Sequence, residues 1–393
     1  MPGPKRTAAK KTTTRSKAAP PARAPGAAAG GPDVLTLRQI NRATLARQML
    51  LARERVTPLA AIERLVAVQA QWPRPPFIGL WSRVEGFRRA DLTALLLKKR
   101  VVRATLLRGT LHMMTADDFV LLRPIVQPML DAAIHAVLKD RGRGLDVAKL
   151  TAQAQRVLAR EPCTFETLRE AFVRENPKLD ERAMGYAVRM ALPLVQVPTA
   201  DHAWAFPANP CFAAAEAWLG RPIRLAPTPA DALVLRYLAA YGPASVADVQ
   251  AWSGLPKLRD TVEALRPRLR VFRDEGRREL FDLPGAPRPH PDTPAPVRLV
   301  ADYDNVIGTR ADERFVAKAF RPRVFLSALR LAATVLVDGF VAGTWKLERK
   351  KDTATLTVDA FGPLPARARQ ELRAEAEALL RFAEPDAKHE VRA

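Results

Sequence analysis

The chain has 393 residues and carries 63 Lys and Arg against 41 Asp and Glu, a formal net charge of +22. That length predicts several domains, and the basic balance predicts a polyanionic partner. No uncharged apolar run is long enough to span a bilayer, and no basic amphipathic stretch has an aromatic-rich face, so nucleic acid, DNA in particular, is a better expected partner than a membrane.

Residues 1–33 contain Lys5, Arg6, Lys10, Lys11, Arg15, Lys17 and Arg23 against Asp33 alone, without periodic apolar residues. Such a segment buries too little surface to offset the entropy of ordering and is expected to be disordered. It reads as a flexible polycation that adds sequence-independent affinity; a composition-biased leader without a role reads equally well. The lack of acids is compatible with a transit peptide, whereas a secretory signal is excluded because no apolar region follows the charges. Most of the positive charge stays with the rest of the chain.

Residues 34–142 are expected to form a first unit, with helices at Leu37 to Ala52, Leu59 to Gln69 and Asp91 to Lys99 and a β-hairpin from Val101 to Met114 pivoting on Arg108-Gly109. Pro73 disfavours helical geometry at Trp72, so the helix should open at its last turn and let Gln69 and Gln71 face one cavity. On spacing alone, two solvated polar residues account for this Gln-x-Gln as well. On the hairpin, Arg108, Thr110 and His112 are spaced by two and share one side of a strand.

In residues 143–222 three helices (Val147 to Leu158, Phe165 to Arg174, Glu181 to Leu192) precede short strands at Leu194 to Val197 and Ala203 to Phe206, which is a winged-helix pattern. It recurs in residues 223–283, where helices Pro229 to Ala240, Val246 to Trp252 and Pro256 to Leu265 lead into strands Leu269 to Phe272 and Glu279 to Asp282 around Gly276-Arg277-Arg278. Thr164 and Ser245 sit where N-caps are wanted. The third helices offer Arg182, Tyr186 and Arg189, then Lys257, Arg259 and Arg266, a set that suits phosphates rather than base edges. After a Pro-rich linker at 284–296, residues 297–393 carry strands at Val297 to Ala301, Ala333 to Val337, Phe340 to Lys346 and Thr353 to Val358, then a helix from Pro365 to Phe382. The expected fold class is therefore α+β: about three tandem winged helices followed by a small C-terminal antiparallel β-barrel.

Cys163 and Cys211 are isolated and the histidines at 112, 135, 202, 290 and 389 are scattered, so neither a disulfide framework nor a metal site is expected. No glycine-rich phosphate loop and no Gly-x-Ser-x-Gly elbow is present. No cofactor, a reduced cytoplasmic, nucleoid-associated setting and a monomer are expected.

Gln69-Ala70-Gln71, Gly79-Leu80-Trp81-Ser82-Arg83-Val84 and Arg108-Gly109-Thr110-Leu111-His112, in this order and spacing, resemble the AlkZ/YcaQ-type winged-helix DNA glycosylases. The likeness runs from about Leu35 into the last hundred residues. One branch of that family has Gln-x-Gln and unhooks interstrand crosslinks; the other has Gln-x-Asp. Ala70 stands where the family more often has a bulkier aliphatic residue.

The resemblance implies a DNA repair enzyme with Gln69 and Gln71 as its catalytic pair. An N7-alkylated guanine is already cationic and leaves as a neutral base, so the protein need only hold a water and stabilise the developing sugar cation. Neutral carboxamides suffice for that. No lysine is placed for Schiff-base chemistry, which predicts monofunctional hydrolysis to an abasic site. Arg108 is expected at phosphate or groove, and Thr110 and His112 at the lesioned nucleotide or bracing the glutamines; both equally suit a hairpin stapled to the core. Trp81 is expected to stack on a base or sit in the core, and Arg83 to serve DNA or cap the glutamine loop. The alternative is a non-enzymatic winged-helix DNA binder, a regulator or architectural protein.

Overall fold

A computed structural model describes residue 3 and residues 33–225, 228–308, 313–327 and 330–392. Apart from Gly3 and Asp33, the tail at 1–33 lies outside the described residues, so the expectation of disorder there is not addressed.

β1 (Val34–Leu35) leads into α1 (Leu37–Arg47), whose first turn is closed by a reciprocal cap: the Thr36 hydroxyl accepts from the Gln39 amide and the Gln39 side chain accepts from Thr36. α1 is unusual in burying Asn41, Arg42, Thr44 and Arg47, with Gln48 just beyond. Each finds partners in a distant part of the chain. Asn41 Nδ2 donates to the carbonyls of Arg314 (2.6 Å) and Gly339 (2.8 Å), Arg42 donates to Thr293 (2.7 Å), and Gln48 donates to Ala240 (2.7 Å). Arg47 makes a two-pronged pair with Asp282 at 2.7 and 2.8 Å, both side chains essentially sealed from solvent.

α2 (Pro58–Leu65) starts at a Thr57 cap with Pro58 in its first turn and stops at Val66, whose φ of 68° breaks the helical run. Then follow β2 (Val68–Gln69), α3 (Arg74–Trp81), α4 (Arg89–Leu97), β3 (Val101–Thr105) and β4 (Leu111–Thr115). The expected helix to Gln69 is thus four residues too long. α5 (Ala116–Leu138) is long and apolar; its Phe119, Leu122, Ile125, Val126 and Leu130 are buried against the following segments, so its apolarity is that of a core helix. Pro124 and Pro128 inside it hid it from a helix reading of the sequence.

The next segment has α6 (Val147–Leu158), β5 (Cys163–Thr164), α7 (Phe165–Glu175), α8 (Glu181–Ala191), β6 (Leu194–Gln196), β7 (Cys211–Ala214) and α9 (Ala215–Leu219). The strand that pairs with β6 is Cys211–Ala214, and the expected strand at Ala203 to Phe206 is a turn. One six-stranded sheet runs β2-β4-β3-β6-β7-β5, so strands on both sides of residue 142 share it. α10 (Asp231–Tyr241), α11 (Val246–Ser253), α12 (Arg259–Leu265), β8 (Arg270–Asp274) and β9 (Glu279–Asp282) follow, and β1 joins β8 in parallel.

The C-terminal segment departs from expectation. β10 (Arg298–Val300), α13 (Arg321–Val324), β11 (Phe325–Ser327), β12 (Arg330–Leu331), β13 (Thr334–Val337), β14 (Phe340–Lys350), β15 (Thr353–Ala360), α14 (Ala366–Ala383) and β16 (Lys388–Arg392) make an open sheet in the order β10-β13-β14-β15-β16 and a separate β11-β12 pair. The sheet does not close into a barrel, because β10 and β16 are its two edges. It is not wholly antiparallel either, since β16 returns parallel to β15 after the helix. α14 lays Leu372, Ala376, Leu379 and Leu380 on one face of it.

Breaking a sealed ion pair costs about 3–5 kcal/mol when the remaining charge is left alone. Without Arg47 the buried Asp282 keeps only the partly exposed Arg288, which sets that range as the upper end of the loss. Arg47→Ala should therefore lower the denaturant midpoint sharply, and the double variant Arg47→Met/Asp282→Leu should lose less than Arg47→Ala, as read by chemical unfolding. Equal or greater loss in the double variant would show that the pair is not the source.

Candidate active site

Gln69 lies on β2, with His112 of β4 as its cross-strand partner, and the ladder continues through the Ala70 amide, which donates to the Leu111 carbonyl at 2.7 Å. β2 ends at Gln69, and Gln71 opens the bend that leads into α3. Gln69 and Gln71 both line one cleft of about 450 Å³, shared with Arg108, Thr110, Tyr303 and Arg330, while Ala70 between them is buried. The expectation that the two amides share a cavity matches this arrangement, but they sit at the end of a short strand and in the bend after it, not at an opened helix end.

Two arginines hold the strand from beneath. Arg103 on β3 is buried and donates to the carbonyls of Ala70 (Nε, 2.9 Å) and Gln71 (Nη2, 3.1 Å), while its Nη1 bonds the Gln196 side chain of β6. Its guanidinium lies over the Phe206 ring at 5.0 Å. Burial lowers its pKa to about 10, so it stays charged at neutral pH. Sequence reasoning passed over Arg103; the only signal was a single charge inside an apolar strand.

Arg108 occupies the hairpin turn in the left-handed region at φ 53°. Its Nη2 donates to Gln69 Oε1 at 3.1 Å and its Nη1 to the Trp252 carbonyl at the C-terminal end of α11. A guanidinium only donates, so the Gln69 atom facing it is the oxygen and the amide is oriented. The negative end of α11 suits the charge, and burial lowers the pKa of Arg108 to about 10. Gly254 is what allows this approach: a Cβ there would lie 3.3 Å from Arg108 backbone and side-chain atoms, and its own φ is +81°. Arg108, expected at phosphate or groove, lines the cleft with its head on Gln69 and Trp252.

His112 is buried, with Nδ1 3.0 Å from the Thr110 carbonyl. Burial first, and the Arg108 charge second, push its pKa down to about 3. It is therefore neutral, and its Nδ1–H donates to Thr110. It braces the strand opposite Gln69. The Thr110 hydroxyl donates to Leu107 at 3.1 Å, closing the turn at the cleft edge.

The remaining expected DNA contacts lie inside. Arg83 is 2 % exposed and pairs with Asp304 at 2.8 Å through both terminal nitrogens. It does not reach the surface, but it does fix the 302–306 segment beside the glutamines. In that segment Asn305 Oδ1 accepts from the Gln69 amide (3.4 Å) and Asn305 Nδ2 donates to the Ala67 carbonyl (2.5 Å). Trp81 is half-buried, stacked on Phe382 of α14 at 5.9 Å under the Arg53 guanidinium at 4.3 Å. The exposed tryptophan is Trp72, at 61 %, on a neighbouring cleft with Arg74 and Asp302. Burial raises the Asp302 carboxyl pKa, opposed by Arg74.

His112 makes stability depend on acid. Its folded pKa is depressed to about 3, below the usual value of about 6.5, so between those values the unfolded chain binds the proton and the native one does not. Stability should fall as pH drops from 7 towards 4. His112→Asn should flatten that part of the melting-temperature curve, and an unchanged acid slope would show that His112 is not buried neutral.

The family model for DNA glycosylase AlkZ-like matches residues 62–382 of this chain. Among solved structures, Streptomyces sahachiroi DNA glycosylase AlkZ superposes with a TM-score of 0.74 at 19% sequence identity, covering 91% of this chain and 99% of that one, a likeness of fold. No curated protein sequence matches.

Proposed function

We propose a function for a chain that belongs to the DNA glycosylase AlkZ-like family: hydrolysis of the N-glycosidic bond of N-alkylated purines, N7-alkylguanine foremost and interstrand crosslinks among them, in damaged double-stranded DNA. The three helix-and-strand segments are read as winged helices that carry the duplex, and the protein as a monomer working on DNA in the cytoplasm. The observation that carries this reading is the pair of carboxamides facing one cleft, one held by Arg108 and the other without a side-chain partner among the described residues.

Their difference suggests a division of labour. Gln69 has one lone pair of its oxygen taken by Arg108, so it offers the cleft chiefly its NH2. Gln71 is exposed, and its oxygen is available to accept. A water donating to Gln71 and accepting from Gln69 is oriented with its remaining lone pair towards C1′. As the C1′–N9 bond breaks, its electron pair passes into the cationic ring and cancels the N7 charge. The base departs neutral, the amide dipoles offset the cation forming on the sugar, and the water proton passes to solvent. No lysine lines the described part of the cleft, which supports hydrolysis to an abasic site over a lyase reaction.

The test is release of free base from a duplex containing N7-methylguanine, without added metal or cofactor. Gln71→Ala or Gln69→Ala should lower the single-turnover rate by roughly ten- to a thousandfold, with affinity for the duplex nearly unchanged because phosphates supply most of it. Arg108→Met should slow the reaction through Gln69 alone, so in the Gln69→Ala background it should add little further loss. Base release at the parent rate by folded Gln69→Ala and Gln71→Ala would remove the glutamines from the mechanism. Tight DNA binding with no release by the parent would favour a non-enzymatic DNA binder.

A further inference from the structure

Away from the glutamine cleft, α7 and α8 enclose a cavity of about 550 Å³ whose lining is rich in arginine. Arg182, Gly185, Tyr186 and Arg189 lie three, four and seven residues apart and so form one face of α8. Arg169 and Phe165 come from α7, and Asn209 closes the side before β7. A Cβ at position 185 would lie 2.7 Å from a Phe165 ring carbon, so the glycine is what allows the two helices to close and makes the ring the cavity wall. The Arg189 guanidinium lies on that ring at 4.4 Å.

The charges here are incompletely matched. Arg169 Nη1 pairs with Glu181 at 2.9 Å, yet the Nε atoms of Arg169 and Arg189 are both buried without a hydrogen-bond partner. Burial, and then the neighbouring Arg169, depress the pKa of Arg189. Arg182 is exposed and has no ion-pair partner among the described residues. Glu166 also lines the cavity, so the three arginines face one carboxylate beyond the one Arg169 uses. Planar donors crowded together against an aromatic wall, with donor capacity left over, suit a tetrahedral oxyanion.

Position narrows the choice of anion. The residue after Arg189 on α8 is Met190, and a Cβ on Gly109 would lie 3.4 Å from its sulfur; Gly109 lines the glutamine cleft. From Arg182 to Met190 a helix rises by about 12 Å, and one strand of a duplex advances about 3.4 Å per nucleotide. The cavity is thus a few nucleotides from the cleft.

We propose that the cavity between α7 and α8 is a phosphate site that takes a backbone phosphate of the DNA bound at the glutamine cleft. It rests on the DNA reading above but not on the chemistry of base release. The test uses the full chain and an unmodified duplex, with affinity measured across a salt series. Arg182→Ala and Arg189→Gln should each weaken binding and reduce the slope of log affinity against log salt by about one. Arg189→Lys, which keeps the charge, should keep the slope. Arg182 is exposed, so its variant stays informative if Arg189→Gln fails to fold. Parent affinity and slope in folded Arg182→Ala and Arg189→Gln would overturn the proposal. Inorganic pyrophosphate supplies a second arm: if it raises the melting temperature of the parent but not of Arg182→Ala, while DNA binding is unchanged in both variants, the occupant is a free phosphate compound and DNA is excluded. A reduced slope with no base release from N7-methylguanine by the parent leaves this site standing and removes only the glycosylase reading.

Discussion

The structure hangs on the burial of polar side chains along α1. Arg47 and Asp282 are sealed from water, and the cost of desolvating two charges is recovered only if their geometry is good and their other valences are filled. The geometry is good and most valences are filled: Arg47 also donates to Leu238 at 2.8 Å, and Asp282 receives Arg288 and the Leu283 amide, with only the Arg47 Nε buried and unpartnered. Arg42, Asn41 and Gln48 repeat the arrangement towards the Pro-rich linker, the C-terminal sheet and α10. Arg314 completes it from the other side, donating to Thr44 (3.1 Å) and to the Pro243 carbonyl (3.0 Å). Apolar contacts tolerate small shifts, but directional bonds between segments hundreds of residues apart do not. The relative placement of the segments is therefore specified by a polar junction.

The same device recurs at the cleft on a smaller scale. Arg103 holds the backbone of the glutamine strand, Arg108 holds the amide of Gln69, and Arg83 through Asp304 holds the loop that flanks it. All three are cations turned inward, so a strongly basic chain spends part of its charge as internal bracing. The net charge of +22 thus overstates the positive surface offered to a polyanion. The cleft still presents one exposed cation, Arg330, opposite the two neutral carboxamides.

Much of this was legible in the sequence, for local reasons. The capping residues Thr164 and Ser245, the helices they start, and the hairpin pivot at Arg108-Gly109 follow from short-range chemistry, as does the pairing of Gln69 with Gln71 in one cleft. What stayed hidden depends on partners far along the chain. Arg83 reads as a free cation until Asp304 is placed beside it, and Trp81 as a stacking platform until Phe382 covers it. The strand at Val68–Gln69 reads as the end of a helix because the apolar period of α2 continues past Val66, and only the positive φ there stops it. Four strands of the C-terminal sheet are legible, but its fifth is not: β16 is a polar segment, Lys388–Arg392, that carries no strand pattern of its own and acquires one by lying along β15.

The six-stranded sheet has a further consequence for how this chain tolerates change in length. Side chains on a strand alternate with a period of two, so a slip by one residue reverses every side chain. One residue inserted within β2 that kept the ladder with β4 would turn Gln69 away from the cleft, whereas two would restore its facing and shift only the position along β4. Insertions and deletions ahead of the glutamines are therefore constrained by parity more than by size, and a tract that looks like a short connecting loop behaves as a counting device for the residues beyond it.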